Sequence, residues 1–287
     1  MEVSELIKKV RKLELKTRKQ SKDLFTGNYT STFKGKGISF HGVRAYSYGD
    51  DVRTIDWNVT SRSQEPYIKE FEEERELTFI LLVDISLSNY FGSQETTKRD
   101  IVNEVAATLS FSALNNNDKV GVIFFSEKVE KYIPPKKGKA HILTILRELI
   151  NIEPSRTTTN VGEAILFVHN TIKKKSTVFV LSDFIESGDF EKELIISRTK
   201  HNFYALQFYD KAEENFPDLG LVELYNPEKL SYEWVDTSSS QFRNHMKMKV
   251  QENLKKHKTI FKKLGGEYCA INVQEPYIHK VAELFKK

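Results

Sequence analysis

Between Leu77 and Phe208, short wholly apolar runs alternate with amphipathic stretches, and that alternation constrains the fold more than any other feature of the chain. A strand that is apolar along its whole length must be covered on both faces, which happens in a parallel sheet whose connecting helices pack above and below it. Thr78 to Val83 (TFILLV) reads as the first such strand. Ile101, Val102, Val105, Ala106 and Leu109 then recur at helical spacing up to the Asn115-Asn116-Asn117 run. Lys119 to Phe125 predicts a strand with Val129 to Ile133 as its antiparallel neighbour, followed by helices over Ala140 to Ile150 and Gly162 to Lys173. Strand Thr177 to Leu181, a short helix around Phe190 to Arg198 and strand Phe203 to Phe208 continue the pattern. The tail predicts a hairpin (Leu221 to Leu224 with Leu230 to Val235), a long basic helix (Gln241 to Lys263), a last strand (Tyr268 to Val273) and a closing helix (Tyr277 to Phe285). The expected fold is α/β, a doubly wound and mostly parallel sheet.

The front of the chain reads differently. Val3, Leu6, Ile7, Val10, Leu13 and Leu15 form one apolar stripe of a helix that runs to about Lys19. Gly27 to Gly49 is punctuated by glycines between short runs containing Tyr29, Phe33, Phe40 and Tyr46, so short strands and turns are expected there. Asp50 to Trp57 and an acidic stretch, Glu65 to Glu76, lead into the main domain. The expected division is an appendage over residues 1–76 and a main domain over residues 77–287. Arg53, Asp56 and Trp57 read as a compact charged and aromatic cluster that locks the small appendage to its domain.

Composition narrows the class. With 39% hydrophobic and 29% charged residues in 287, the chain is long enough to bury a real core and is neither disordered nor fibrous. The single cysteine, Cys269, has no internal disulfide partner and sits in an apolar run, where it is expected as a small buried hydrophobe in a reducing compartment. Met1 to Lys22 interleaves Lys and Arg with Leu and Val, which fits neither a signal peptide nor a membrane span, so a cytoplasmic protein is expected. The formal charge of +4 is unevenly placed: residues 1–56 hold twelve Lys or Arg against seven Asp or Glu. No groove-reading motif accompanies that basic segment, and no nucleic-acid partner is expected.

The residues that carry chemistry are Asp84, Ser86 and Ser88, a D-x-S-x-S directly after the first strand. Ligands bind outside the carboxyl ends of strands in open α/β sheets, so these side chains emerge where a site forms. A carboxylate with hydroxyls is a hard oxygen set, suited to Mg²⁺ or Mn²⁺ and poorly to Zn²⁺. Further oxygens stand at later turns: Thr159 before the helix beginning near Gly162, and Asp183 after strand Thr177 to Leu181. Each has a plainer reading. Ser88, Ser93, Thr97 or Thr159 could cap a helix, and Asp183 could be a strand-end turn residue.

The five positions together resemble the metal-ion-dependent adhesion site (MIDAS) of von Willebrand factor A domains, which combines D-x-S-x-S with a distant Thr and a distant Asp. The resemblance implies a fold of von Willebrand factor A (Rossmann-like) type with Asp84, Ser86, Ser88, Thr159 and Asp183 as metal ligands. Gly35 to Phe40, Tyr48-Gly49-Asp50-Asp51-Val52-Arg53, Ile55-Asp56-Trp57 and Glu73 to Glu76 further resemble the bacterial family called domain of unknown function fifty-eight. That resemblance covers nearly the whole chain and implies an association with MoxR-type AAA+ ATPases. Many relatives carry acidic residues where His41 and Ala45 stand here, and Asn89 replaces a Met often found after the second serine.

The chemistry then reads as a non-enzymatic, metal-dependent protein-binding adaptor. A partner carboxylate completes the coordination, and a MoxR-type ATPase works with the chain in maturing or remodelling a client complex. The alternative is a Mg²⁺-dependent hydrolase on the same site, which lacks an evident general base because no His or Lys is obviously placed beside Asp84 or Asp183. The seven histidines show no metal spacing and read mostly as surface residues, and no phosphate-binding loop is present.

Overall fold

The computed structural model describes residues 11–17, 39–63, 65–72, 77–90, 92, 96–153, 158–185, 187–226 and 231–284. The rest of the expected N-terminal helix, the segment Gly27 to Gly37, Glu73 to Glu76 and Ser93 lie outside them. Two compact units form, one of residues 33–77 and one that groups the helical residues 11–17 (α1) with residues 78–287. The sequence reading had grouped that helix with the appendage.

In the smaller unit, β1 (Ser39–Ala45) pairs antiparallel with β2 (Tyr67–Glu72), with a bulge between Phe40 and Gly42. Sequence reasoning missed β2, which lies inside the acidic stretch. Arg44 grips Asp50 through two parallel hydrogen bonds of 2.8 Å, and the Asp50 carboxylate also accepts from Ser47 N–H. The Arg44 guanidinium therefore holds Asp50 below the usual carboxylate range. A 3-10 turn (Val52–Thr54) leads to the one-turn helix α2 (Trp57–Thr60).

The expected cluster of Arg53, Asp56 and Trp57 does not form. Asp56 caps α2, accepting from the Asn58 and Val59 amides at 3.0 and 3.3 Å. Arg53 is exposed, and the Trp57 ring is 69% exposed. A carboxylate directly before a helical turn satisfies free amides better than it satisfies a guanidinium three residues earlier.

The larger unit carries the α/β sheet. In chain order it runs β3 (Thr78–Asp84), α3 (Lys98–Asn115), β4 (Lys119–Phe125), β5 (Val129–Lys136), α4 (Lys139–Asn151), α5 (Val161–Thr171), β6 (Thr177–Ser182), α6 (Glu191–Arg198), β7 (Asn202–Tyr209), α7 (Lys211–Glu214), a hairpin of β8 (Leu221–Asn226) and β9 (Ser231–Asp236), α8 (Ser240–Lys263), β10 (Glu267–Asn272) and α9 (Ile278–Glu283). The main sheet has the order β10-β7-β6-β3-β4-β5 and is parallel except for β5. The doubly wound, mostly parallel sheet expected from the alternation is what forms.

Side chains alternate across each strand, so the two faces have separate cores. Ile80, Leu82, Ile123, Val178, Val180, Phe203 and Ala205 pack against Ala164, Ile165 and Val168 of α5, Leu194 of α6 and Phe261 of α8. Residues of opposite parity meet α3, whose Thr108 shares a 3.2 Å hydrogen bond with Tyr277 beside α9. Cys269 is half-buried, not fully buried as expected, because β10 is an edge strand.

The topology fixes where a site can lie. From β3 the chain crosses to β4 on one side, and from β6 it crosses to β7 on the other, although β3 and β6 are neighbours. The loops after two such strands diverge, and it is outside the carboxyl ends of strands at such a switch point that open α/β sheets bind their ligands.

Candidate functional site

Asp84 ends β3, and Ser182 ends the adjacent β6, followed by Asp183. The register pairs Val83 with Leu181, which brings the two carboxylates to the same end of neighbouring strands. Asp84, Ser86 and Asp183 are buried, Ser88 is half-buried, and Thr159 is buried.

The D-x-S-x-S loop is held from several directions. Asp84 Oδ1 accepts the Ser86 amide at 2.9 Å, and Asp84 Oδ2 accepts the Ser182 hydroxyl. Ile85 N–H donates to the carbonyl of Phe125 at the end of β4, 2.9 Å away. Asn89 donates its Nδ2 to the Asp84 carbonyl at 3.3 Å, bracing the loop from inside. The hydroxyls of Ser86 and Ser88 lie 3.0 Å apart.

Thr159 approaches this end through its neighbour: Asn160 N–H donates to the Ser126 carbonyl just past β4, at 2.8 Å. Asn160, not Thr159, caps α5, its side chain accepting the Glu163 amide at 3.0 Å. Thr97 is the cap of α3, in a capping box with Asp100. The plainer reading of Thr97 therefore stands, and that of Thr159 does not. For Asp183 the turn reading holds in part, since its Oδ1 accepts the Ile185 amide at 3.1 Å. Between them Phe184 adopts a positive φ of 55°, unusual for a bulky side chain, and its ring is fixed against Phe190, His257 and Phe261.

Electrostatically the site sets two buried carboxylates, Asp84 and Asp183, close together. Burial, reinforced by the nearby Asp183, pushes the Asp84 carboxyl up to about 7. The second oxygen of Asp183 is met by Lys98, whose Nζ donates to Asp183 Oδ2 and to Glu213 Oε1 of α7, both at 2.8 Å. This corrects the expectation that no lysine stands beside these carboxylates. Burial opposes the Lys98 charge, but Asp183 and Glu213 outweigh it and raise its affinity for the proton above that of an ordinary lysine.

Behind the site, Gln207 of β7 donates to the Asp183 carbonyl at 2.9 Å and accepts from Tyr268 and His257. His257 is buried, as is His201, against the expectation of surface histidines. Sequence reasoning missed Lys98, Ser182, Gln207 and His257. Lys98 left one signal: it is the first residue of an 18-residue helix, where the positive end of the helix dipole disfavours a cation unless anions are close.

Residues 42–256 match the family described as Protein of unknown function DUF58, and the chain belongs to that family. With the strand order and switch-point loops above, its larger unit is a doubly wound, mostly parallel α/β domain. An uncharacterized protein of Mycobacterium tuberculosis is 27% identical over 221 residues, covering 76% of this chain and 70% of that protein. Among solved structures, an aerotolerance-related membrane protein from Bacteroides fragilis is similar with a TM-score of 0.51 at 14% identity, over 73% of this chain and 98% of that one. A von Willebrand factor type A protein from Catenulispora acidiphila is similar over 73% of this chain and 41% of its own, at 11% identity and a TM-score of 0.43. Among the described residues no helix is long and apolar enough to cross a membrane.

Proposed function

We propose that this chain is a non-enzymatic, cytoplasmic protein-binding adaptor whose grip depends on a divalent cation, Mg²⁺ or Mn²⁺. Asp84, Ser86, Ser88, Thr159 and Asp183 would hold the ion, and a Glu or Asp of the partner would complete its coordination. The observation that carries this reading is the pair of seryl hydroxyls 3.0 Å apart beside a buried carboxylate. Two neighbouring oxygens of an octahedron with bonds of about 2.1 Å are separated by about 3.0 Å, so the two hydroxyls already have the spacing of an octahedral edge. Burial first, and the nearby Asp183 second, oppose the ionised form of Asp84, and a dication would favour that form. An oxygen-only donor set argues for a hard cation over zinc. The family resemblance supplies the proposed MoxR-type AAA+ partner and the role in maturing or remodelling a client complex.

A hydrolase on the same site gains no support from Lys98. A lysine held protonated by two carboxylates cannot serve as a general base.

The test is cation-dependent stability followed by cation-dependent capture. With Mg²⁺ or Mn²⁺ at about ten times its dissociation constant, mass action stabilises the fold by roughly 1.4 kcal/mol. Asp84→Ala should abolish the response, and EDTA should release the captured partner. An equal upward shift in Asp84→Ala and wild type, with ionic strength held constant, would sink the site assignment.

A further inference from the structure

Lys98 is 0% exposed and is placed where a charge is hard to keep, at the first position of α3 and away from water. Burial and the helix dipole both oppose its ammonium. Two carboxylates compensate, and one of them is Asp183, a member of the candidate ligand set. The other, Glu213, lies 115 residues further along the chain, in the capping box of α7. An ion pair that served stability alone would gain nothing from sitting on a candidate ligand, since apolar residues of similar volume often serve as well or better.

The consequence for Asp183 is geometric. Its Oδ1 is taken by the Ile185 amide and its Oδ2 by Lys98. Asp84, in contrast, is met by the Ser86 amide, the Ser182 hydroxyl and the Ser86 side chain, and among the described residues no ion pair to it is formed. The two carboxylates are thus unequal: Asp183 shares the charge of Lys98 with Glu213, and Asp84 does not pair with it.

We propose that Lys98 is the resident counter-cation of the site, a positioning residue that competes with the bound cation for Asp183 and so weakens that ligand's share in holding the ion. The cation is then bound weakly and keeps uncompensated charge, which makes the site depend on a carboxylate from outside. This deepens the adaptor reading and rests on its metal site.

The test is calorimetric titration of the full chain with Mn²⁺. Lys98→Gln keeps hydrogen-bond donors toward Asp183 and Glu213 but removes the charge. Lys98→Met with Glu213→Gln removes the pair together, so no buried carboxylate loses its only cation apart from Asp183 itself. Coulomb's law at an effective dielectric near 20 sets an upper limit of several decades for a unit charge about 6 Å from a dication. At least tenfold tighter Mn²⁺ binding is therefore expected in both variants. Adding Asp183→Asn to either should cancel the gain, a reversal that a merely structural lysine would not produce. Wild-type protein that shows no binding beside variants that bind would also support the proposal. Equal affinity in wild type and variants overturns this inference and leaves the metal site standing. Absence of Mn²⁺ binding in every protein overturns both.

Discussion

His201 closes the turn between α6 and β7, 1% exposed, and neither ring nitrogen has a hydrogen-bond partner among the described residues. Burial, with Lys200 and His169 nearby, lowers its ordinary value of 6.5 to about 4. As pH falls, the unfolded chain takes up this proton from about 6.5 downward, whereas the folded chain resists until about 4. Stability from this group is complete above the unfolded value and drains away as pH falls through the folded one. At about 1.4 kcal/mol per unit, the loss is on the order of 3 kcal/mol. Replacing the ring by an apolar one of similar shape removes both the proton site and the unpaired polar atoms. His201→Phe should therefore match or exceed wild-type stability near neutral pH and lose less on acidification. Urea unfolding from about pH 8 to about pH 4.5 measures this, and the difference between the two proteins isolates His201 from the parallel contribution of His257. An identical pH slope in both proteins would show that the ring is solvated and refute the reasoning.

Asn160→Ala removes the side-chain cap of α5 and should cost about 0.5–2 kcal/mol in chemical unfolding, whereas Thr159→Ala should leave that cap intact. At Gly121 an added Cβ would lie 2.9 Å from Pro135 N and 3.0 Å from the Ile133 carbonyl. Gly121→Ala should accordingly destabilise by about 1–3 kcal/mol, read as a lower Tm. Burial pushes the Cys269 thiol up to about 11, so a thiol-reactive probe near neutral pH should label the native protein slowly and the urea-unfolded protein fast.

How much of this could be read in advance depends on how local the cause was. The parallel strands were legible because burial on both faces leaves an uninterrupted apolar run, and β4 is such a run from its second residue, Val120, to its end. The D-x-S-x-S signal was legible because it is contiguous and follows one of those strands. β2 was hidden because three of the six residues of YIKEFE are charged and the segment lies inside an acidic stretch, so no apolar run marks it. Arg44 and Asp50 meet across a turn that pairing rules for neighbours along a helix do not anticipate. Lys98, Asp183 and Glu213 are far apart in sequence, and only the crossing from β3 to β6 to β7 brings their loops to one end of the sheet. A lysine looks like a surface residue until the carboxylates that neutralise it are placed.

Two consecutive prolines, Pro134 and Pro135, lie in β5, the outermost strand on its side of the main sheet. Proline has no amide hydrogen to offer a further strand, and the irregular register opposite Gly121 bends the ribbon there. A neighbouring chain cannot add a strand across that border without leaving acceptors unmatched. On that flank, lateral stacking into fibres or strand-swapped aggregates is disfavoured by the covalent structure of the chain itself.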